Sequence, residues 1–170
     1  MIKNVILILA VLIADQLSKW WVLEQVFKPL FSAPSRNLID WFSSTLRLPY
    51  ISTEILPFFN LTMVWNEGIG LGLFGGSGAY VLSAVSIIVC AFLVYWMIKH
   101  KHDCLLQFSC ALMIGGALGN VIDRLRFGAV ADFLDFHAFG WHYPVFNIAD
   151  CAIVIGVFLL LIQPLFKGKV

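Results

Sequence analysis

Hydrophobic residues along the chain are concentrated in four long runs, separated by more polar connections. Each run is close to the roughly 20 residues that a helix needs to cross a hydrocarbon layer of ~30 Å. The runs cover about residues 4–22, 79–98, 104–122 and 145–166. Between them lie two longer connections, residues 23–78 and 123–144. The pattern predicts one integral membrane domain, residues 1–170, with four transmembrane helices.

The first run, Val5 to Ala14, is similar in length to the core of a signal peptide. No A-x-A-like cleavage site follows it, and three further spans do. We therefore expect a retained first helix.

The composition supports a membrane class. Of 170 residues, 61% are hydrophobic and 12% are charged, whereas a soluble domain is about half apolar and about a quarter charged. A formal net charge of +1 argues against a nucleic-acid partner, which requires a clustered basic face. The cysteines form no CxxC pair and are interpreted as small buried hydrophobes rather than disulfide or metal ligands. They are Cys90, Cys104, Cys110 and Cys151.

Basic residues near the ends of the runs predict the orientation. An even number of helices places three short basic segments on one side, and the positive-inside rule makes that side cytoplasmic. These segments contain Lys3, Lys99, Lys101, Lys167 and Lys169. Both termini are then expected in the cytoplasm, with residues 23–78 and 123–144 facing out.

The first outer connection carries its own structural signals. Apolar residues between Ser35 and Leu48 recur near helical spacing, which predicts an amphipathic surface helix with Ser35 as N-cap and Trp41 as interfacial anchor. The segments Phe59–Trp65 and Ile69–Phe74 are typical of short extended strands. The glycine-rich run at residues 75–78 predicts a flexible turn into the second span.

Polar side chains within the spans fall at similar depths. Measured by helix rise from the basic ends, Asp15 lies ~18 Å, Asn120 ~28 Å and Asp150 ~26 Å along their helices. Ionisable groups are costly in a membrane and mark functional sites. None of these helices shows a charge in its inner half, whereas an ion path needs polar groups along its whole length. The distribution favours a site at one face.

Several of these polar groups can act as supports. Asp15 and Lys19 are spaced i, i+4 and can form an ion pair on one helix face. Asn120, Asp123 and Arg124 close the third run, where Arg124 can pair with Asp123 and fix the following loop.

Two further candidates lie in the first outer connection. Asn66 can hold a turn, and Gly68 permits a left-handed backbone or close approach to a ligand.

Two aspartates are the candidates for direct chemistry. Asn147 is a good N-cap for the fourth helix, with Asp150 at its third position, where the positive end of the helix favours an ionised carboxylate. Asp132 lies in an apolar stretch, and its partial desolvation raises the pKa of this carboxyl. Asp135 is its local rival, and sequence position alone does not separate the two.

A pair of carboxyl groups is sufficient for peptide hydrolysis. Two adjacent acids share one proton, so one acts as base on a water and the other as acid. They titrate as a pair, and position along the chain assigns the proton to neither.

Other chemistries lack their motifs. No serine lies in GxSxG, and no H-E-x-x-H zinc motif occurs. His100 and His102 are interpreted as part of a solvated basic turn, and His137 and His142 as packing with Trp141. No metal or cofactor is expected.

Five blocks together resemble the bacterial lipoprotein signal peptidases, the signal peptidase II family. They occur in the family's order and span nearly the whole chain: Asp15-Gln16-Leu17-Ser18-Lys19, Asn66-Glu67-Gly68, Gly119-Asn120-Val121-Ile122-Asp123-Arg124, Asp132-Phe133 and Phe146-Asn147-Ile148-Ala149-Asp150.

The resemblance implies an all-α membrane fold of four transmembrane helices, with a small extracytoplasmic β-cradle and an interfacial amphipathic helix. It implies an aspartyl endopeptidase that cuts diacylglyceryl-modified prolipoproteins before the lipidated cysteine, with globomycin-like inhibitors and membrane lipids as further partners. Asp132 and Asp150 become the catalytic pair, which selects Asp132 over Asp135. The implied supporting or substrate-positioning residues are Asp15, Lys19, Asn66, Gly68, Asn120, Asp123, Arg124 and Asn147.

The chain departs from the family pattern in two places. The stretch between Lys19 and Asn66 is longer than usual, and Ile69-Gly70-Leu71-Gly72 stands where the family has a small residue followed by Phe. Both departures concern the cradle and the surface helix rather than the pair Asp132 and Asp150, which we call the dyad.

Two other functional classes remain as alternatives. A small ion- or proton-coupled transporter subunit would use the intramembrane acids as a relay. A non-catalytic assembly factor would use them only to pair with Lys19 and Arg124.

Overall fold

The computed structural model describes residues 2–68 and 78–166 of the chain. The helices are α1 (Ile2–Trp20), α2 (Lys28–Leu30), α3 (Leu38–Phe42), α4 (Gly78–Lys99), α5 (Cys104–Phe127) and α6 (Ile148–Phe166). A π-helical segment, Trp21–Phe27, joins α1 to α2. The strands are β1 (Ser52–Leu56), β2 (Phe59–Asn66), β3 (Val130–Ala138) and β4 (Trp141–His142).

Four helical segments are long and apolar enough to cross a membrane within the described residues. They are Ile2–Leu30, Gly78–Lys99, Cys104–Phe127 and Ile148–Leu165. The first continues eight residues beyond the expected end at residue 22, so part of the first outer connection is helical. The expected membrane fold of four helices with a small β-sheet is confirmed.

Helix α5 lies at the centre of the bundle, where it contacts α1, α4 and α6. Asp103 caps its start by accepting a hydrogen bond from Leu106 N at 3.0 Å, and Gly128 ends it with φ 70°. The helix therefore runs one turn beyond Asp123 and Arg124, which the sequence had placed at its end.

Glycines on α5 let two neighbouring helices approach closely. A Cβ atom on Gly116 would collide with the carbonyl oxygen of Ala149 in α6. A Cβ atom on Gly119 would lie 2.5 Å from the carboxylate of Asp15 in α1. The absence of side chains at these two positions sets how near α1 and α6 lie to α5 at the end of the bundle that carries Asp150.

The sheet covers this same end, which we call the site end; the opposite end, with Lys99 and Lys101, is the basic end. The strands pair antiparallel in the order β1-β2-β3-β4. A register shift in β2 between Leu61 and Val64 places Val64 opposite Asp132 of β3. Below the sheet, Phe27 and Met63 are almost fully buried in a cluster of apolar side chains.

The surface helix differs from its expected form. Helix α3 has five residues, and Asn37 caps it by accepting a bond from Asp40 N at 2.9 Å. Ser35 is not the cap, because its hydroxyl bonds the carbonyl of Glu24 instead. Trp41 is 2% exposed and packs inward rather than anchoring in lipid, while Ile39 is 79% exposed.

The two extended segments have different outcomes. The segment expected at Phe59–Trp65 is β2. The expected strand at Ile69–Phe74 and the glycine turn before residue 78 lie outside the described residues.

Candidate active site

Asp150 is held by a reciprocal cap at the start of α6. Its backbone N–H donates to Asn147 Oδ1 at 3.0 Å, and Asn147 N donates back to Asp150 Oδ2 at 3.2 Å. This is the capping-box arrangement, which satisfies two helix donors that would otherwise lack partners. The N-cap expected at Asn147 and the third helical position of Asp150 are both observed.

Asp132 lies on β3, 1% exposed, facing the start of α6. Burial and the negative charge of Asp150 raise the pKa of Asp132 from 3.8 to about 7. Two amide donors oppose this rise, Asn66 Nδ2 at 3.0 Å and Asn147 Nδ2 at 2.7 Å. With its pKa at about 7, the Asp132 carboxyl is about half protonated at neutral pH.

Two asparagine amides join the aspartates into one unit. Asn147 donates to both, through Nδ2 to Asp132 and through its backbone N–H to Asp150. Asn120 Nδ2 donates to Asp150 Oδ1 at 2.8 Å, while its Oδ1 accepts from Asn147 Nδ2 at 3.1 Å. The side chains of Asp132 and Asp150, 18 positions apart in sequence, are thus fixed by shared neutral donors.

A second pair of aspartates lies directly beneath. Lys19 Nζ is 2.8 Å from Asp15 Oδ2 and 2.7 Å from Asp123 Oδ2, and all three side chains are fully buried. Gln16 Nε2 donates to both carboxylates at 3.0 Å. The expected Asp15–Lys19 pair is present. Asp123 pairs with Lys19 of α1 and not with the neighbouring Arg124.

Each acid of this cluster also holds the backbone beside one dyad aspartate. Asp15 Oδ1 accepts from Ala149 N at 3.1 Å, one residue before Asp150. Asp123 Oδ2 accepts from Ala131 N at 3.1 Å, one residue before Asp132. The charged cluster therefore fixes β3 and α6 at the positions where their aspartates project.

Asn66 and Gly68 form the turn that follows β2. Gly68 N donates to Asn66 Oδ1 at 3.0 Å, and Gly68 has φ 95°, a conformation that favours glycine. The turn leaves Asn66 Nδ2 free to donate to Asp132. The loop therefore orients a side chain onto the dyad.

Asp135, the local rival, lies in a different network. Its carboxylate accepts from Thr62 Oγ1 and bonds His142 Nδ1, both at 2.8 Å. Burial acts to raise the pKa of Asp135, but these bonds and the neighbouring histidines outweigh it and lower the pKa below 3.8. His142 thus pairs with Asp135 and stacks on His137 at 4.8 Å, rather than packing on Trp141.

Two arginines on α5 border the site. Arg124 lies in the field of Asp150, Asp132 and Asp123, and its Nε is buried with no hydrogen-bond partner among the described residues. Arg126 was missed by sequence reasoning. Its guanidinium lies 4.1 Å from the ring centroid of Trp41 and donates to Trp41 O at 2.7 Å.

An apolar cavity of about 680 Å³ opens beside the dyad. Asp150 lines it together with Val154 and Ile155 of α6, and Phe136 and Trp141 form part of the sheet side. A volume of about 300–1,000 Å³ with mostly apolar walls and few polar groups is typical of a ligand site. Asp150 thus borders a space suited to an apolar chain.

A metal centre has no candidate in residues 2–68 and 78–166, where no group of three or more His, Cys, Asp or Glu side chains could hold an ion. Two neighbouring carboxyl groups can supply acid–base chemistry.

The fold is that of a helical membrane protein, and the carboxyls of Asp132 and Asp150 are its candidate acid–base site. Two solved structures of a bacterial membrane enzyme, determined by the in meso method, are similar to the chain. One matches with a TM-score of 0.75 and 31% identity, covering 99% of this chain and 96% of the other. The second has a TM-score of 0.73 and 30% identity, covering 99% and 91%.

The family model described as Signal peptidase (SPase) II matches residues 7–166. A lipoprotein signal peptidase of Burkholderia thailandensis is 45% identical over 68% of this chain and 72% of its own length. One of Coxiella burnetii is 39% identical over 75% and 83%. The chain belongs to the signal peptidase II family. It is a multi-pass inner-membrane protease, and the transporter alternative has no support.

Proposed function

We propose that Asp132 and Asp150 hydrolyse the peptide bond before the diacylglyceryl-modified cysteine of prolipoproteins, which releases the signal peptide. The names of the relatives, lipoprotein signal peptidase, support this substrate class. One observation carries the assignment of the dyad: Asn147 donates hydrogen bonds to both carboxylates. Asn147 thus holds both carboxyl groups, which supports their action as a pair.

The raised pKa of Asp132, about 7, supports Asp132 as the acid of the pair and Asp150 as the base. As the base, Asp150 takes a proton from a water molecule, and the oxygen of that water attacks the scissile carbonyl carbon. As the acid, Asp132 donates its proton to the carbonyl oxygen. When the tetrahedral intermediate collapses, the C–N bond breaks. Asp150 gives its proton to the leaving nitrogen, and one hydroxyl of the intermediate returns a proton to Asp132.

The supporting residues hold this geometry. Asp15, Lys19 and Asp123 fix the backbone beside each aspartate, and Asn120, Asn147 and Asn66 orient the carboxyls. Gly68 allows the turn that presents Asn66. The unsatisfied Nε of Arg124 is suited to bind a backbone carbonyl of the substrate.

The cavity beside the dyad suits the lipid part of the substrate. Its walls of Val154, Ile155 and Phe136 match acyl chains, and Asp150 lies at its edge. A lipid-modified substrate would then reach the dyad by lateral diffusion and leave its peptide bond at the carboxyls. We expect globomycin-like cyclic peptides to compete for this same cavity.

We infer that the site end faces the outer surface and that both termini are cytoplasmic. Lys3, Lys99 and Lys101 lie at the opposite end in short segments, where the positive-inside rule applies. The surface of the sheet and α3 would then meet the outer headgroups.

Cleavage of a purified diacylglyceryl-modified prolipoprotein tests the dyad. Asp132→Asn and Asp150→Asn should each lower turnover by about 10²–10⁴-fold, the usual contribution of acid–base catalysis. Asp135→Asn is the matched control on the same strand and should retain most activity, because its partners are Thr62 and His142. A gel shift of the substrate and a thermal unfolding curve report activity and folding separately. Activity in a folded Asp150→Asn variant would refute the dyad.

A further inference from the structure

A second cavity lies at the basic end of the bundle, far from the dyad. It has a volume of about 580 Å³ and lies between α1, α4 and the start of α5. Val5 and Ile8 of α1 face Val94 and Ile98 of α4 across it. Its size falls in the range of about 300–1,000 Å³ that is typical of ligand sites, and its walls suit a hydrocarbon chain.

The polar side of this cavity is held in place by hydrogen bonds. Asn4 donates to Gln107 Oε1, which joins α1 to α5. Gln107 Nε2 donates to the carbonyls of Met97 at 2.6 Å and His100 at 3.2 Å, which joins α5 to the end of α4. The three helices are therefore linked around the cavity, so the space is formed before any ligand binds.

The mouth of the cavity is positively charged. Lys101 and His102 line it, and both are exposed. Lys101 forms no ion pair with any residue of the described ranges. The acid in the same turn, Asp103, is bonded by Leu106 N and by Gln163 Nε2 of α6. The lysine charge at the mouth thus has no acid partner from the described chain.

We propose that this cavity binds one anionic phospholipid, with an acyl chain between α1 and α4 and the phosphate at Lys101 and His102. Basic pockets between membrane helices are suited to anionic headgroups. The charge opposes the other apolar occupant of a signal peptidase, the signal peptide, because its first segment is positively charged. The proposed orientation places this phospholipid in the cytoplasmic leaflet. The binding site itself does not depend on the orientation or on the proteolytic function.

Native mass spectrometry of the purified full chain in mild detergent tests this site. Phosphatidylglycerol and phosphatidylethanolamine with identical acyl chains are titrated separately, and the bound fractions are compared. Wild type should bind phosphatidylglycerol more tightly. Lys101→Gln should weaken that binding by about fivefold, which is the effect expected of one lysine near a headgroup.

Two further variants separate the parts of the site. Lys99→Gln is the matched control, because Lys99 has the same charge at the same end but lies over the Tyr95 ring at 5.6 Å. It should leave lipid binding unchanged. Val94→Phe, which fills the cavity, should weaken both lipids, and inorganic phosphate should not displace phosphatidylglycerol, because the acyl chain contributes to binding.

Several outcomes would overturn the proposal. These are equal binding of the two lipids, equal loss in Lys99→Gln and Lys101→Gln, undiminished binding by Val94→Phe, or displacement by phosphate alone. Thermal unfolding and prolipoprotein cleavage should match wild type in both lysine variants, because neither lysine belongs to the dyad or its supports.

Discussion

Two pairs of aspartates lie one above the other at the site end, and they differ in the groups that balance their negative charge. Asp15 and Asp123 share the ammonium group of Lys19. Asp132 and Asp150 instead receive hydrogen bonds from neutral amides of Asn120 and Asn147. Both pairs are made of the same residue type, so the difference in chemistry comes from their partners.

The comparison shows how one site separates structure from reactivity. A lysine between two carboxylates offsets their negative charge, and both can then serve as fixed acceptors for backbone amides. Amides orient a carboxylate but add no full positive charge, so the dyad relieves its repulsion by keeping a proton. The lower pair is suited to hold the backbone, and the upper pair is suited to exchange protons.

Removing the ammonium group should have the largest effect. Lys19→Met leaves Asp15 and Asp123 facing each other without a cation, and breaking a buried ion pair costs about 3–5 kcal/mol. We expect a comparable fall in the free energy of unfolding, together with loss of cleavage. Thermal or denaturant unfolding in detergent measures it.

A double variant sharpens this test. Lys19→Met combined with Asp123→Asn removes one of the two carboxylates that repel each other. The double variant should therefore be more stable than Lys19→Met alone. If Lys19→Met unfolds like wild type, the lower pair does not depend on its lysine and the comparison fails.

Changing the amide bridge should have a smaller effect. Asn147→Ser keeps an oxygen that can cap α6 but removes Nδ2, which donates to Asp132 at 2.7 Å. A hydrogen bond to a charged group contributes about 1.5–3 kcal/mol, so we expect cleavage to fall by about 10- to 100-fold. Losing a donor to the ionised form should also raise the pKa of Asp132. Unchanged turnover would show that the hydrogen bond from Asn147 to Asp132 is dispensable. A second variant, Asn147→Ala, loses the helix cap as well and should be less stable than Asn147→Ser.

The smallest expected effect is the pH dependence that follows from protonation of Asp132. With the pKa of Asp132 at about 7, cleavage should decline as pH rises through 7, by about tenfold for each unit above it, because the acid form is lost. The folded chain keeps this proton between pH 4 and 7, whereas the unfolded chain releases it near the ordinary value of 3.8. The free energy of unfolding should therefore fall as pH rises across that range. Asp132→Asn should lose this part of the pH dependence, and an unchanged slope would contradict the raised pKa.

Much of this arrangement follows from local sequence. The four apolar runs predicted the helices, the i, i+4 spacing predicted the Asp15–Lys19 pair, and the cap at Asn147 predicted the position of Asp150. Each depends on contacts within one helix or its first turn. The choice of Asp132 over Asp135 came from resemblance, and the structure gives it a physical reason in their different partners.

Long-range contacts were not predictable in the same way. The pairing of Asp123 with Lys19 depends on how far α5 continues and on which face meets α1. The inward packing of Trp41 depends on Arg126, 85 positions later. Glu24 lies in the π-helical segment and forms a buried pair with Lys28 at 2.6 Å. Periodicity within one segment carries no information on these partners.

The glycines of α5 have a consequence for how this site can be inactivated. A methyl group at position 116 would push against Ala149 at the start of α6. A methyl group at position 119 would push against Asp15 of α1 and would also contact Ala149. Such a change would leave every reacting atom in place chemically but would alter the gap between the carboxyls. The spacing of the two carboxyls thus depends on the absence of side chains at two positions in the middle of α5. A mutation at either position would inactivate the enzyme without changing a titratable group.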